Sequence, residues 1–206
     1  ATQCEEKGLK HFSKEAVEKV VEYSSRLADS KDKLSSRYNQ LVEILYEADA
    51  LSDETSVFVT AQDVQRAINA KRYRNNKYEE KLNEMYEDGT LLIDIDGEKI
   101  GQINGLAVMG TGEYSFGKPA RITASSYKGK AGIINVEREV RRSGSSHDKG
   151  VLILSGYIGE KYAKETTLSV TTSITFEQNY SGIDGDSASS TELYVILSSI
   201  AQIPIK

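Results

Sequence analysis

At Gly89 the spacing of the apolar residues changes, and this limits the chain to folds that join a helical part to a sheet-rich part. Before that point Ala16, Val17, Val20, Val21, Leu27 and Ala28 form one apolar stripe at helical spacing behind Ser13, a good N-cap, so a helix opens at Phe12-Ser13. A second helix is expected from Ser36 to Ala50, with Tyr38, Leu41, Val42, Leu45 and Ala48 on its inner side. Val57-Phe58-Val59 reads as a short extended piece, and Thr60-Ala61-Gln62-Asp63 as a capping box that opens a third helix through Val64, Ala67 and Ile68. Tyr78, Leu82, Met85 and Tyr86 keep the helical spacing until Gly89 stops it.

Beyond Gly89 the residues alternate. Leu91, Ile93 and Ile95 face one way and Asp94 and Asp96 the other, Asp96-Gly97 signals a turn, and Ile100, Ile103 and Leu106 continue on a return strand. A second hairpin is expected from Arg121–Tyr127 and Gly132–Val136, turning at Lys128-Gly129. Val151-Leu152-Ile153-Leu154 reads as a continuous apolar strand, Gly159 to Ala163 as a short helix, and Leu168 to Phe176 as another strand. The pattern is α+β with antiparallel hairpins, divided into a helical domain over 1–89 and a hairpin-rich α+β domain over 90–206.

Composition removes several classes of function. Hydrophobic content of 38% with 28% charged residues describes an ordinary globular chain, and no apolar run is long enough for a membrane span. The net charge of -5 gives no electrostatic footprint for nucleic acid. Lys71-Arg72-Tyr73-Arg74 with Lys77 is the most basic patch, but Glu79, Glu80, Glu84 and Glu87 follow it, so it reads as a solvated helix face. One cysteine, Cys4, excludes an internal disulfide, and with His11 and His147 it makes no metal-ligand spacing, so no metal is expected. A reducing, cytoplasmic compartment follows from that cysteine usage. ATQCEEKG at the start carries neither a Met nor a signal-peptide region, and the chain reads as a piece of a longer one.

The stretch Gly182-Ile183-Asp184-Gly185-Asp186-Ser187-Ala188-Ser189-Ser190 is a tight Gly/Asp turn that delivers Ser187 to the first turn of an apolar helix containing Leu193, Tyr194, Val195, Ile196 and Leu197. A hydroxyl beside a positive helix end can act where an oxyanion develops. Asp and Ser are equally the preferred N-cap residues, so these residues alone leave nucleophile and helix cap both open. Three look-alikes fail. Gly112 to Pro119 fits GxxxxGK, but Pro119 offers neither the hydroxyl nor the backbone N–H of a phosphate-binding loop. Gly185 to Ser189 lacks the second glycine of a GxSxG elbow, and no histidine follows Ser187. Asp184 and Asp186 do not start a calcium loop, because Ser189 and Val195 stand where Gly and Glu are required. His147-Asp148-Lys149 reads as a solvated turn ahead of a strand.

FEQNYSGIDGDSASS, from Phe176 to Ser190, resembles the segment around the nucleophile of the Lon proteases, especially their archaeal branch and its bacterial relatives. GQINGLAV (Gly101 to Val108), FGKPARITA (Phe116 to Ala124) and NVEREVRRSGSSHDKGVLILSGYIGEKYA (Asn135 to Ala163) agree with that family in order. The resemblance covers most of residues 90–206 and, more weakly, the helical part, which resembles the lid domain of AAA+ ATPases. It implies an ATP-dependent serine endopeptidase with a Ser/Lys dyad, in which Ser187 is the nucleophile and a lysine beyond the serine helix is the base. Lys206 is not equated with that lysine, so the dyad is expected to be cut in half and the chain inactive by itself. By the same resemblance Asp184 and Asp186 are supporting acids and Arg37 is a nucleotide phosphate sensor, with a surface arginine as its alternative; Glu177, in the FEQ run, either holds the turn by hydrogen bonds or is an exposed loop carboxylate. ATP and Mg belong to the longer parent and are not expected on this chain. Protein or peptide substrates, a homo-oligomeric ring (a hexamer) and no nucleic acid complete the expectation. Two other readings stay open: a non-catalytic interaction or assembly module in which Ser187 is only a cap, and a different serine-dependent acyl-transfer enzyme.

Overall fold

The computed structural model describes residues 2–112, 114–165 and 167–206. The chain divides into two compact units, one ending at Lys77 and the other running from Tyr78 to Lys206.

In the first unit, α1 (Thr2–Lys7) precedes β1 (His11–Phe12), α2 (Lys14–Leu27), α3 (Tyr38–Leu51), β2 (Phe58–Val59) and α4 (Ala61–Asn75). The expected caps are present. Ser13 Oγ accepts the Ala16 N–H at 3.2 Å. Thr60 and Asp63 form a reciprocal capping box, with Thr60 N–H donating to Asp63 Oδ2 at 2.9 Å and Asp63 N–H to Thr60 Oγ1 at 3.3 Å. The short extended piece is β2, which pairs in parallel with β1. Ala16, Ile44, Ala48, Val59, Val64 and Ala67 make the core; of the stripes read from the sequence Ala16, Ala48, Val64 and Ala67 are buried as expected, whereas Val17, Val21 and Tyr38 are exposed and Ile44 takes the inner place on α3. The basic cluster departs from expectation. Lys71 is buried and pairs with Glu43 at 2.6 Å, and Arg74 grips Glu47 through both terminal nitrogens at 2.5 and 2.6 Å. These charges tie α4 to α3 instead of forming a wholly solvated face.

The second unit opens with α5 (Lys77–Glu87), whose Leu82 packs with Leu91 and Phe116. This helix therefore belongs with the sheet-bearing unit, and the change of period at Gly89 falls inside it. Gly89 has φ +76°, as its role as a helix stop requires. Then come β3 (Gln102–Gly110), β4 (Ser115–Lys128), β5 (Gly132–Asn135), α6 (Val136–Glu139), α7 (Ser145–Tyr162), β6 (Val170–Phe176) and α8 (Ser189–Ala201). The sheet order is β3-β4-β6-β5, antiparallel except for the parallel β5–β6 pair.

Three sequence expectations are corrected here. Leu91 to Ile100 forms no strand, only a single antiparallel bridge of Lys99 to Ile205; β3 instead pairs with β4, in register Gln102↔Thr123 to Gly110↔Ser115. The second hairpin does not form, because β6 lies between β4 and β5, with Ile122↔Phe176 and Ala124↔Ile174 on one side and Asn135↔Ile174 on the other. Val151 to Leu154 and Gly159 to Tyr162 are both parts of α7, where Val151, Leu154 and Ile158 recur at helical spacing on the buried side. The core of this unit joins Ile122 and Ala124 of β4, Ile174 and Phe176 of β6, Leu154 and Ile158 of α7, and Val195 and Ile196 of α8. The α+β class stands. No helix among the described residues is long and apolar enough to cross a membrane.

Candidate active site

The turn between β6 and α8 is built by a few close approaches. Gly182 and Gly185 have φ of +88° and +91°, so the chain reverses twice before Ser187. The segment 140–144 is stitched to the segment 180–184: Ile183 N–H donates to the Arg142 carbonyl at 2.9 Å, and Gly144 N–H to the Ile183 carbonyl at 2.8 Å. The Arg142 guanidinium donates to the Tyr180 carbonyl. Gly150 on α7 lets this turn approach, since a Cβ there would lie 2.8 Å from Ser189 Oγ and 3.3 Å from Asp186 Cβ. The glycine of the HDKG run is thus a contact point for the serine turn.

Helix α8 begins at Ser189, so Ser187 stands two residues ahead of it, exposed, rather than within its first turn. Its N-cap is Ala188, which has no side chain able to cap; Ser189 N–H instead turns back to the Asp186 carbonyl at 3.1 Å. Ser187 lines a cleft of about 440 Å³ whose walls include Phe176, Glu177 and Ala188 on one side and Leu106 to Gly110 of β3 on the other. β3 is one of the two edge strands of the sheet, with Leu106 and Val108 exposed. Lys118, opposite Ala107 on β4, is the one lysine among the described residues that line this cleft. In the sequence Lys118 stands out only as part of the rejected phosphate-loop pattern. That pattern spans Glu113, which lies outside the described residues, and from Ser115 onward it is strand β4, with no helix to receive a phosphate.

The other candidates are placed as follows. Asp184 caps α7: its Oδ1 accepts the Ser146 N–H at 3.1 Å and the His147 N–H at 3.2 Å. The N-cap residue of α7 is Gly144, which supplies no side chain, and a Cβ there would stand 2.2 Å from Asp184 Cγ. The backbone amides of Gly185 and His147 hold the Asp184 carboxyl below its ordinary range. Asp186 is exposed beside Ser187. Glu177 is held by Arg121, with Nε donating to Oε2 at 2.6 Å and Nη2 at 2.5 Å from the same oxygen. Gln178 next to it bridges the Leu92 N–H (2.7 Å) and the Thr90 carbonyl (2.9 Å). Arg37 lies in the other unit, exposed, as the N-cap residue of α3, with its N–H on Ser35 Oγ at 3.1 Å.

His147 and Glu192 are the residues that sequence reading missed. His147 was expected in a solvated turn, but it is 2% exposed in the first turn of α7. Its Nε2 is 3.5 Å from Oε1 of Glu192, which is 1% exposed, and its ring meets Phe176 edge-on at 5.6 Å. The i,i+7 placement of His147 with Leu154, on the buried stripe of α7, was the signal in the sequence, obscured by the Gly and Ser residues before it. Burial lowers the His147 pKa, against the opposing influence of Glu137 and Asp148. Burial, with Glu137 nearby, raises that of Glu192 to about 7.

Comparison with known proteins names the family of this chain, a helical unit joined to an α+β unit that displays a serine on a glycine-bounded turn. Residues 11–74 match the family model described as the archaeal LonB AAA+ ATPase lid domain. A Lon protease homologue of Escherichia coli (strain K12) is 32% identical over 140 residues, which cover 67% of this chain and 24% of the relative. A Lon protease homologue of Haemophilus influenzae is 30% identical over 200 residues, covering 92% of this chain and 32% of the relative. The archaeal Lon protease of Thermococcus kodakarensis is 27% identical over 217 residues, covering 96% and 31%. The chain is Lon-like, and it spans about a quarter to a third of the length of these relatives.

Proposed function

We propose that the parent of this chain is an ATP-dependent serine endopeptidase in which Ser187 is the nucleophile. The observation that carries the reading is the position of Ser187: exposed in the cleft, adjoining the positive end of α8, and not the residue that caps that helix. An extended polypeptide laid along the exposed edge of β3 would gain main-chain hydrogen bonds and present a carbonyl to Ser187. The hydroxyl attacks that carbonyl, a lysine takes the hydroxyl proton, and the dipole at the head of α8 stabilises the oxyanion. Family resemblance puts the lysine after the serine helix; Lys118 is the alternative that the cleft itself offers.

On this reading Asp184 supports catalysis through the backbone it anchors, and Glu177 by fixing the start of the turn against Arg121. ATP and magnesium act through the AAA+ core of the parent, a ring of like subunits, in the cytoplasm, on protein substrates. Among the described residues these two candidates do not make a nucleotide cradle: the GxxxxGK-like run is β-strand from Ser115 onward, and Arg37 stands at the head of a helix.

The test is peptide and casein hydrolysis by the full-length parent and its variants. Ser187→Ala is expected to lower turnover by on the order of 10⁴-fold or more while eluting like the parent in gel filtration. Full turnover in a well-folded Ser187→Ala protein would refute the reading. Lys118→Met is expected to leave most of the turnover; a loss equal to that of Ser187→Ala would make Lys118 the base.

A further inference from the structure

Directly under the serine turn lie three ionisable side chains that have no role in the proposed chemistry of Ser187. They come from three elements: Glu137 from α6, His147 from α7 and Glu192 from α8. All three are buried. Glu137 is held through Oε1, which accepts from Thr175 Oγ1 and the Phe176 N–H at 2.9 Å each, while its Oε2 is buried with no hydrogen-bond partner. Glu192 is not so held: its Oε1 is buried with no hydrogen-bond partner and faces His147 Nε2 at 3.5 Å. A small side-chain rotation closes that gap to hydrogen-bond length. The remaining charged groups that bear on His147 are Asp148 in its own helix and Asp184 in the serine turn.

His147 also touches the serine turn twice. Its backbone N–H donates to Asp184 Oδ1, and its ring lies against the Gly185 carbonyl in a position to donate to it. Gly185 is two residues before Ser187 and has a backbone conformation that only glycine adopts freely, so its peptide plane sets where the serine points.

We propose that His147 and Glu192 are a positioning pair for the Ser187 turn, holding the Gly185 carbonyl through one tautomer of the imidazole and releasing it through the other. The proposal rests on Ser187 being the nucleophile only for its consequence in catalysis. With Glu192 protonated, its carboxyl O–H donates to Nε2, and the proton on the other ring nitrogen is directed at the Gly185 carbonyl. When the carboxyl proton leaves to solvent, the carboxylate accepts from Nε2–H instead. The ring proton has then moved to the Glu192 side, the nitrogen facing Gly185 is bare, and the turn loses its donor. One proton is released and no bond other than N–H and O–H changes. A neutral carboxyl at this site is consistent with burial raising the pKa of Glu192 to about 7, so the two states exchange near neutrality.

The test uses this chain and does not require activity. With only two histidines, the imidazole signals in a carbon-edited NMR spectrum are simple to assign, His11 being the exposed one. Between pH 5.5 and 8.5 the Gly185 and Ser187 amide signals are expected to shift together with the His147 ring, with one midpoint near neutrality. In Glu192→Gln that common transition is expected to vanish while the His11 signals are the same as in the parent. The same transition persisting in Glu192→Gln would overturn the pairing. So would Gly185 and Ser187 amides that stay still while His147 titrates. In the full-length parent, Glu192→Gln is expected to remove the neutral limb from the pH profile of kcat, leaving KM within about twofold. An unchanged kcat profile would overturn the positioning role. Inactivity of every form, with the NMR transition intact, would count against Ser187 as nucleophile and not against the pair.

Discussion

Replacing Glu192 by Gln is expected to make the second unit more stable at alkaline pH, and the size follows from its surroundings. The carboxyl is 1% exposed, has no hydrogen-bond donor at Oε1, and has its pKa raised from 4.5 to about 7 by burial and by Glu137. A folded-state pKa above the unfolded one means that the folded protein keeps a proton the unfolded chain has given up between about pH 4.5 and 7. The contribution of Glu192 to stability is therefore complete below the unfolded pKa and is lost as pH rises through the folded one. Each pH unit between the unfolded and folded pKa values is worth about 1.4 kcal/mol, so ionisation of Glu192 costs the fold about 3 kcal/mol by pH 8. Gln has the same shape and no charge to lose, so Glu192→Gln is expected to be near neutral at pH 5 and stabilising by about 3 kcal/mol at pH 8. His147 works with the opposite sign, because its pKa is lowered by burial and its charging destabilises the fold as pH falls. It is present in both proteins, so the difference between them isolates Glu192 with its coupling to His147. Urea unfolding should be followed at pH 5, 6, 7 and 8 through the methyl signals of Ile174 and Ile196, which report this unit alone. Unfolding free energies of the two proteins that run parallel from pH 5 to 8 would refute the reasoning.

Gly144→Ala is expected to destabilise the second unit by about 1–3 kcal/mol in the same assay, because the added Cβ meets Asp184 Cγ at 2.2 Å and displaces the carboxylate that caps α7. Asp184→Asn should weaken the same cap and flatten the acid limb of the stability curve. The Asp184 pKa is depressed, so its contribution is present above pH 3.8 and is lost as pH falls further; an unchanged acid midpoint would show that the cap carries none of it. In the first unit, Thr60→Ala breaks the capping box and is expected to cost about 1 kcal/mol, read from the Ile44 and Val64 methyl signals in urea. Titration calorimetry of ATP into this chain is expected to give no saturable heat in the micromolar range, and tight binding would overturn the reading of Arg37 as at most a single phosphate contact.

The local features of this fold were legible in the sequence wherever neighbours in the chain decide them. Ser13, Thr60 and Asp63 cap helices because a side chain reaches an amide three residues on, and Gly89 stops one by its left-handed backbone. What was misread depends on distant partners. Gly132 to Asn135 looks like the return strand of a hairpin because the turn at Lys128-Gly129 is sound, yet its partner is β6, some forty residues on. Val151 to Leu154 is four apolar residues in a row, which period alone cannot assign to strand or helix. The site divided in the same manner. Gly182, Gly185 and Ser187 are close in sequence and stand out as a turn, and family resemblance drew attention to Ser187. Lys118 and Glu192 come from other elements, His147 reads as polar surface, and Asp184 caps a helix nearly forty residues earlier in the chain. Nothing within a few residues of any of these reveals the contact.

The strand order has a consequence for the life of the nascent chain. Because β6 sits between β4 and β5, the sheet cannot be finished by adding strands as they leave the ribosome: β5 must wait, unpaired, for a strand made after α7. β6 runs straight into the turn that carries Ser187, and that turn is fastened to residues 142–147 at the head of α7. The hydroxyl therefore reaches its place only when the last gap in the sheet is closed.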